Sequence, residues 1–146
     1  MKVSTRVEYG LIALTDIVIN YNKGICVSAP EIAERQNISH KYLEQMLTVL
    51  RHAGFITAQK GINGGYSMAC SPETIRLSDV LNALDNNILA EMPVNNGDSG
   101  LRSIINDCFW EKINENLNRY AKNLKLSDFV DECKGKMSDA WDDYVI

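Results

Sequence analysis

The sequence predicts a mainly α-helical fold that contains one two-stranded β-hairpin and a long C-terminal helix. Apolar residues recur at helical spacing over residues 5–53, and residues 55–69 contain two extended segments around a glycine-rich turn. An apolar stripe at helical spacing then runs from Leu101 to Leu124. The chain of 146 residues is long enough to bury one core of its own.

The N-terminal part predicts two helices and a tight turn. Thr5 and Glu8 form a capping box that starts the first helix. Ser28 caps a second, short helix over residues 30–36, and residues 37–38 form the turn that follows it. The apolar face of the first helix consists of Val7, Leu11, Leu14, Val18 and Tyr21.

The third predicted helix is capped by Ser39, stops at Gly54 and has two contrasting faces. One face is apolar and must meet a core: Leu43, Met46, Leu47 and Leu50. The other face contains Lys41, Glu44, Gln45, Thr48 and Arg51. Such cations, carboxylates and amides can hydrogen bond to base edges in a major groove. Any surface helix also has a polar face, so this helix alone leaves a merely solvated surface open.

A predicted hairpin follows directly, with strands over residues 55–60 and 66–69 and the turn at residues 61–65. Helix, tight turn, helix and hairpin in this order predict a winged helix-turn-helix, which is a DNA-binding fold. Glycines at the tip allow backbone N–H groups to approach phosphate, and Lys60 can reach into a minor groove.

The C-terminal half predicts a second unit. Ser78 caps a fourth helix, and residues 86–100 have the composition of a flexible linker. Ser127 caps a short last helix after the long one. We therefore predict a DNA-binding domain at residues 1–85, a linker at 86–100, a dimerisation helix with a short following helix at 101–134, and an acidic tail at 135–146.

The stripe of the long helix is wider than a small domain needs for its own core, although an intramolecular contact explains part of it. It consists of Leu101, Ile104, Ile105, Cys108, Ile113, Leu117 and Tyr120. Pairing with a second copy would bury the excess, so we predict a homodimer. Two-fold symmetry would place two recognition helices about 34 Å apart in successive major grooves.

Charge is unevenly distributed along the chain. The total is −4, but residues 1–76 have a net charge of +2 and residues 77–146 a net charge of −6. Binding to DNA depends on the local field near phosphate, so a basic front half is compatible with it. The acidic total leaves a second hypothesis open, in which the same fold binds a protein instead of DNA.

Three motifs resemble the IscR/NsrR/CymR family of bacterial transcription regulators, also called the Rrf-two family. They are residues 42–45 (YLEQ), residues 50–55 (LRHAGF) and residues 61–66 (GINGGY). The resemblance implies a homodimeric winged-helix repressor or activator that binds double-stranded DNA; we expect a repressor acting on a near-palindromic operator. The residues expected nearest DNA are Ser28, Ser39, His40, Lys41, Tyr42, Glu44, Gln45, Arg51, Lys60, Gly61, Asn63, Gly64, Gly65 and Tyr66.

Many members of that family hold an iron–sulfur cluster on three closely spaced cysteines before the long helix. Here residues 86–107 contain no cysteine, and Asp107, near the position of a fourth ligand in some members, has no cysteine trio to join. We therefore expect no cofactor and no metal, with a regulatory protein or a small-molecule effector setting activity. A redox- or cluster-sensing regulator remains the alternative. Cys108, on the apolar stripe, is expected to be a small core residue.

Other classes are disfavoured by what the sequence contains. We find no activated nucleophile or acid–base pair, so catalytic residues are not expected. No apolar run approaches the length of a membrane span, and no signal-peptide pattern is present, so we expect a cytoplasmic protein with reduced thiols.

Overall fold

The computed structural model describes residues 3–89 and 100–144, with side chains as far as residue 138. The helices are α1 (Thr5–Tyr21), α2 (Ala29–Gln36), α3 (His40–His52), α4 (Leu77–Leu84), α5 (Leu101–Ile105), α6 (Glu111–Asn123) and α7 (Leu126–Tyr144). The strands are β1 (Ile56–Gln59) and β2 (Gly65–Met68). A 3₁₀ turn covers Pro72–Thr74, and a π-helical turn at Asn106–Trp110 joins α5 to α6. Within these described ranges, no helix is both long and apolar enough to cross a membrane.

Helix α1 is the central helix, since it contacts α2, α3, β2, α4 and α7. Its predicted cap is wrong by one residue: the Ser4 side chain, not Thr5, accepts a hydrogen bond from the Val7 backbone N–H at 3.3 Å. The capping box therefore does not form with Glu8. The Glu8 carboxylate is exposed and has no hydrogen bond or ion pair with any other described residue.

One hydrophobic core joins the N-terminal and C-terminal halves. The predicted apolar face of α3 is confirmed, since Leu43, Met46, Leu47 and Leu50 are almost fully buried. Leu126 and Val130 of α7 belong to the same core. The proposed division between residues 1–85 and 101–134 is thus not a division of the core.

The helix-turn-helix has the predicted order. The Ser28 side chain accepts a hydrogen bond from the Glu31 backbone N–H and caps α2. Asn37 ends α2 in the left-handed conformation with φ of 54°, which asparagine tolerates better than most residues. The chain then turns directly into α3, whose predicted apolar side is fixed against α1.

The predicted hairpin is confirmed, with β1 and β2 antiparallel and Ile56 opposite Met68. Near the turn, β2 is tied to the segment before α2 by two backbone hydrogen bonds between Val27 and Tyr66, at 2.6 and 3.0 Å. Gly65 allows this close approach, because its φ is +137° and a Cβ there would lie 2.6 Å from the Val27 carbonyl oxygen.

The C-terminal part differs from the prediction in two places. Helix α4 begins at Leu77 with Arg76 at its cap position, rather than after Ser78. Residues 75–77 instead pair with 124–126 through backbone hydrogen bonds, which fixes where the helix can start. Helix α7 is long, not short, and passes through Gly135 as far as Tyr144, so the predicted tail from residue 135 is helical. A single glycine costs a helix only about 1 kcal/mol, which its neighbours can offset. Residues 90–99, most of the predicted linker, lie outside the described residues.

The long helix is confirmed, but it contains the π turn that the sequence prediction lacked. The sequence does contain a sign of this turn. Elsewhere in the stripe each residue has a neighbour three or four positions further on, but Cys108 and Ile113 are five positions apart. A π turn inserts one extra residue, so it keeps both residues on one face across a gap of five.

A substitution at Gly65 tests the attachment of the hairpin. We expect Gly65→Ala to lower the free energy of unfolding by about 2–4 kcal/mol, because it combines an unfavourable φ with a backbone clash. Gly135→Ala is the matched control, since nothing lies within 4 Å of a Cβ there. The control should be neutral or stabilising by up to about 1 kcal/mol. Urea unfolding measures both, and equal effects would contradict the assigned role of Gly65.

Candidate nucleic-acid interface

The polar face of α3 is exposed along its whole length. Lys41, Glu44, Gln45, Thr48 and Arg51 are all exposed, while the opposite face is held in the core. Because positions separated by three, four and seven residues share one side of a helix, these five side chains project from a single surface. The core contact therefore fixes which groups α3 presents to solvent.

The start of α3 is open to a ligand from outside. Ser39 occupies the cap position and is exposed, but its side chain makes no capping hydrogen bond. The predicted capping contact of Ser39 is therefore wrong. His40 is also exposed, and its Nδ1 lies 3.9 Å from Glu44 Oε1. An uncapped helix N-terminus leaves backbone N–H groups available to an anion such as phosphate.

Tyr42 is half exposed and is positioned by the scaffold helix. Its ring packs edge-on against Tyr9 of α1, with ring centroids 6.3 Å apart and an interplanar angle of 68°. This contact limits the directions in which the Tyr42 hydroxyl can point. Among the predicted residues, Tyr42 is thus held in place from α1 as well as from α3.

The hairpin tip contains two kinds of predicted residue. Lys60, Gly61 and Asn63 are exposed, whereas Gly64, Gly65 and Tyr66 are partly buried. Tyr66 packs against the core and pairs with Val27, so its main contacts are structural. Ser28 is likewise partly buried and caps α2.

Ile62 is a residue that the sequence prediction missed. It lies at the tip of the turn and its side chain is fully exposed. An apolar residue in a turn between glycines is the signal that could have identified it. Apolar side chains at such tips are suited to contact the sugar edges and base steps of a minor groove.

Positive charge on this surface is not neutralised internally. Within the described part of the chain, Lys41, Arg51 and Lys60 form no ion pair, and they come from both ends of α3 and from the hairpin. Their charges are therefore available to an external anion. Glu44 is the acidic group among them, and a carboxylate can accept a hydrogen bond from a cytosine amino group.

A buried carboxylate joins α1 to α2 behind this surface. The Asp16 side chain is almost fully buried and accepts two hydrogen bonds from Arg35, at 2.8 and 3.0 Å. It also accepts hydrogen bonds from Gln36 Nε2 at 2.7 Å and from Asn20 Nδ2 at 3.1 Å. The hydrogen bonds to Asp16 raise the pKa of the Arg35 guanidinium, more than its partial burial lowers it. The placement of α2 thus depends on one side chain of α1.

The cysteines occupy separate places. Cys26 contacts Gln59 Oε1 at 3.5 Å, and Cys70 is exposed. Cys108, expected in a core, is exposed on the long helix, so that expectation is wrong for the single chain. Burial raises the pKa of the Cys133 thiol and Glu132 adds to this shift, while Lys136 opposes it.

The described residues contain no group of three His, Cys, Asp or Glu side chains that could hold a metal ion. In the sequence, no cysteine lies between Cys70 and Cys108. Asp107 is exposed. The described residues of the single chain therefore do not bring together a cysteine trio of the kind that holds an iron–sulfur cluster.

The predicted dimer stripe is exposed on the long helix. Leu101, Ile104, Ile105, Ile113 and Tyr120 are large apolar side chains with exposed fractions from 43% to 71%. Phe109 and Trp110 extend the surface, and their ring centroids lie 4.9 Å apart. Leu117 is the exception, because it is partly buried and faces a cavity inside the chain.

A family profile and individual relatives of this chain point to the same protein family. The profile of the Rrf2 family, described as an iron-dependent transcriptional regulator, matches residues 3–132. The chain is 33% identical over 135 residues to the transcriptional regulator IscR of Cereibacter sphaeroides, covering 89% of this chain and 87% of that protein. It is 46% identical over 85 residues to the protein rrf2 of Nitratidesulfovibrio vulgaris, covering 58% of this chain and 56% of the relative.

Solved structures agree with these matches. The global cysteine regulator CymR of B. subtilis superposes with a TM-score of 0.77 and 25% identity, covering 90% of this chain and 98% of CymR. IscR of T. potens superposes with a TM-score of 0.74 and 30% identity, covering 91% of this chain and 88% of that structure. The winged helix-turn-helix predicted from the sequence is thereby confirmed.

The Asp16 cluster can be tested by a change of one atom. We expect Asp16→Asn to lower the free energy of unfolding by about 2–4 kcal/mol, because an amide N–H₂ would face the donors of Arg35 and Gln36. Urea unfolding followed by circular dichroism measures the loss.

Asp131→Asn is the matched control, since Asp131 is an exposed residue of α7. This control should change stability by no more than about 0.5 kcal/mol. If the two variants were equally stable, the Asp16 cluster would not be holding α2 in place.

Proposed function

The chain belongs to the Rrf2 family of DNA-binding transcription regulators, and we propose that it acts as a homodimeric repressor on a near-palindromic operator. The observation that supports this proposal most directly is the polar face of α3, exposed on one side of a helix whose other side is locked in the core. A helix of about 10–12 Å diameter fits the major groove of B-DNA. The hairpin next to it would follow the phosphate backbone.

We assign the roles on α3 by side-chain chemistry. Gln45 can make two hydrogen bonds with adenine, donating one to N7 and accepting one from N6. Glu44 can accept one from the amino group of cytosine. Lys41 and Arg51 can bind phosphate or guanine, and the open N-terminus of α3 suits a phosphate oxygen. These contacts divide into base recognition near the centre of the exposed face and backbone contacts at its two ends.

The hairpin would supply a second, shallower contact. Lys60 and Ile62 at its tip are exposed, and the glycines around them allow the backbone to approach closely. A lysine is attracted to the negative potential of a narrow minor groove, but it lacks the planar donors of arginine. We therefore expect Lys60 to add affinity more than sequence preference.

A homodimer is supported by the surface of the long helix. Seven large apolar side chains on it are exposed in the single chain, which is unusual for a stable monomer. A two-fold axis through such a surface makes it self-complementary, and it would set the separation of the two α3 helices.

We further propose that this chain regulates without a resident iron–sulfur cluster, unlike the description of its family. The proposal is supported by the lack of cysteines in residues 71–107 and by the absence of a three-ligand group among the described residues. Its role is binding and not catalysis, consistent with the regulators that it resembles.

The base-recognition assignment predicts a loss of specific binding. Gln45→Ala should weaken binding to the operator by about 1–3 kcal/mol while leaving binding to unrelated DNA nearly unchanged. Lys60→Ala should instead weaken both and reduce the slope of log affinity against log salt by about one. Fluorescence anisotropy with DNA from upstream of the chain's own gene measures these effects. Asn82→Ala, an exposed amide on α4, is the control. Unchanged operator affinity in both test variants would refute the assigned surface.

If the apolar stripe is the dimer surface, a variant that loses dimerisation should also lose operator affinity. Ile104→Arg places a charge in the exposed apolar stripe and should produce a monomer with unchanged helix content. Operator affinity should fall to that of a single half-site. Analytical ultracentrifugation and circular dichroism provide the readouts. Glu115→Arg on the same helix lies away from the stripe and should remain dimeric. A dimeric Ile104→Arg variant would show that the stripe is not the interface.

A further inference from the structure

A cavity of about 650 Å³ lies between α1, α4, α6 and α7, and Gln36 at the end of α2 also lines it. This volume falls within the range of about 300–1,000 Å³ that is typical of small-molecule sites. Most of its wall is apolar, including Leu11, Ile12, Leu81, Phe129 and Leu117. Its size and lining suit an apolar body such as a phenyl ring with a short alkyl chain.

The cavity has few polar groups, and they differ in whether they already have hydrogen-bond partners within the chain. Thr15 Oγ1 already donates to the Leu11 carbonyl at 2.8 Å, and the Asp16 carboxylate is taken by its cluster with α2. The Glu8 carboxylate also lines the cavity and has no hydrogen bond or ion pair within the described chain. The described lining contains no Lys, Arg or His. Glu8 therefore gives the described lining a negative charge that no cation of the same lining balances.

We propose that this cavity binds a small, largely apolar molecule with one positive charge, and that its occupancy is transmitted to α2 through Asp16. The apolar body would fill the space between α1 and α4, and the cationic group would pair with Glu8 near the entrance. An anionic molecule of the same shape is disfavoured, because its charge would meet the Glu8 carboxylate and the described lining offers it no cation.

The route to the DNA-binding surface is short. Asp16 and Gln36 both line the cavity, and they are joined by a hydrogen bond of 2.7 Å. Gln36 is the last residue of α2, directly before the Asn37 turn that leads into α3. A ligand that changes the Asp16 cluster thus acts where the helix-turn-helix is anchored. This second half of the inference rests on the proposed DNA-binding function, whereas ligand binding does not.

Three probes of one shape and different charge test the ligand class on the full-length dimer. They are phenylbutylamine, phenylbutanol and phenylbutyrate, which are cationic, neutral and anionic at neutral pH. Titration followed by methyl and amide NMR gives dissociation constants without DNA. We expect the amine to bind about tenfold more tightly than the butyrate, with the alcohol between them.

Variants assign the contacts. Glu8→Gln should lower the affinity for the amine to that for the alcohol and leave the alcohol unchanged. Glu73→Gln, an exposed carboxylate outside the cavity, is the matched control and should alter neither. Ile12→Phe and, separately, Leu81→Phe each place a ring in the space between α1 and α4 that the apolar body would occupy, and they should weaken binding of all three probes. Two such variants are used so that one can fail to fold without loss of the test.

Transmission is measured separately. The amine should shift the backbone amide signals of Arg35 and Gln36 and change operator affinity at least about threefold, with operator binding of the unliganded protein measured first. Unliganded protein that does not bind DNA would refute the proposed function and leave the ligand result intact. The inference itself is overturned by failure of every probe to bind, as when a second copy closes the cavity. Preference for the anion, insensitivity to Glu8→Gln, or binding without change at α2 would overturn it equally.

Discussion

A single buried carboxylate organises this molecule. Asp16 is a residue of the central helix, yet its oxygens accept hydrogen bonds from the last two residues of α2. A buried charge is tolerated only when it is fully partnered, so the position of α2 is coupled to the core and not merely packed against it. The recognition helix follows α2 after one tight turn. The orientation of the DNA-binding surface therefore depends on polar contacts that lie behind it.

The helices were predictable because their apolar faces obey a simple periodicity. The four apolar residues of α3 occupy the core as expected, and both strands of the hairpin lie where alternating residues and glycines placed them. The wrong predictions occur where contacts with distant parts of the chain determine where a helix starts or ends. Helix α4 starts early because its first residues pair with residues 124–126, and α7 continues through Gly135 because a helix tolerates one glycine. Pairings of that kind leave no local signal in the sequence.

The candidate interface shows the same division. The exposed side of α3 was predictable, because fixing one face of a helix also fixes the other. The cavity was not, because its lining comes from five helices that are far apart in the sequence. Glu8 illustrates the difficulty. The sequence assigned it to a capping box with Thr5, and only the shift of the cap to Ser4 leaves its carboxylate free. The position at which α1 begins therefore decides whether the Glu8 carboxylate is available to the cavity.

The pairing of Val27 with Tyr66 constrains how such a protein can diverge. Two backbone hydrogen bonds hold β2 against the segment before α2, so main-chain contacts set the position of the hairpin relative to the helix-turn-helix. Exposed side chains on α3 and at the hairpin tip can be replaced without breaking this pairing. The angle between the two elements is set by main-chain atoms, which a substitution does not remove. A new DNA sequence preference must therefore arise from substitutions of exposed side chains on α3 and at the hairpin tip, and not from a change in the angle between the two elements.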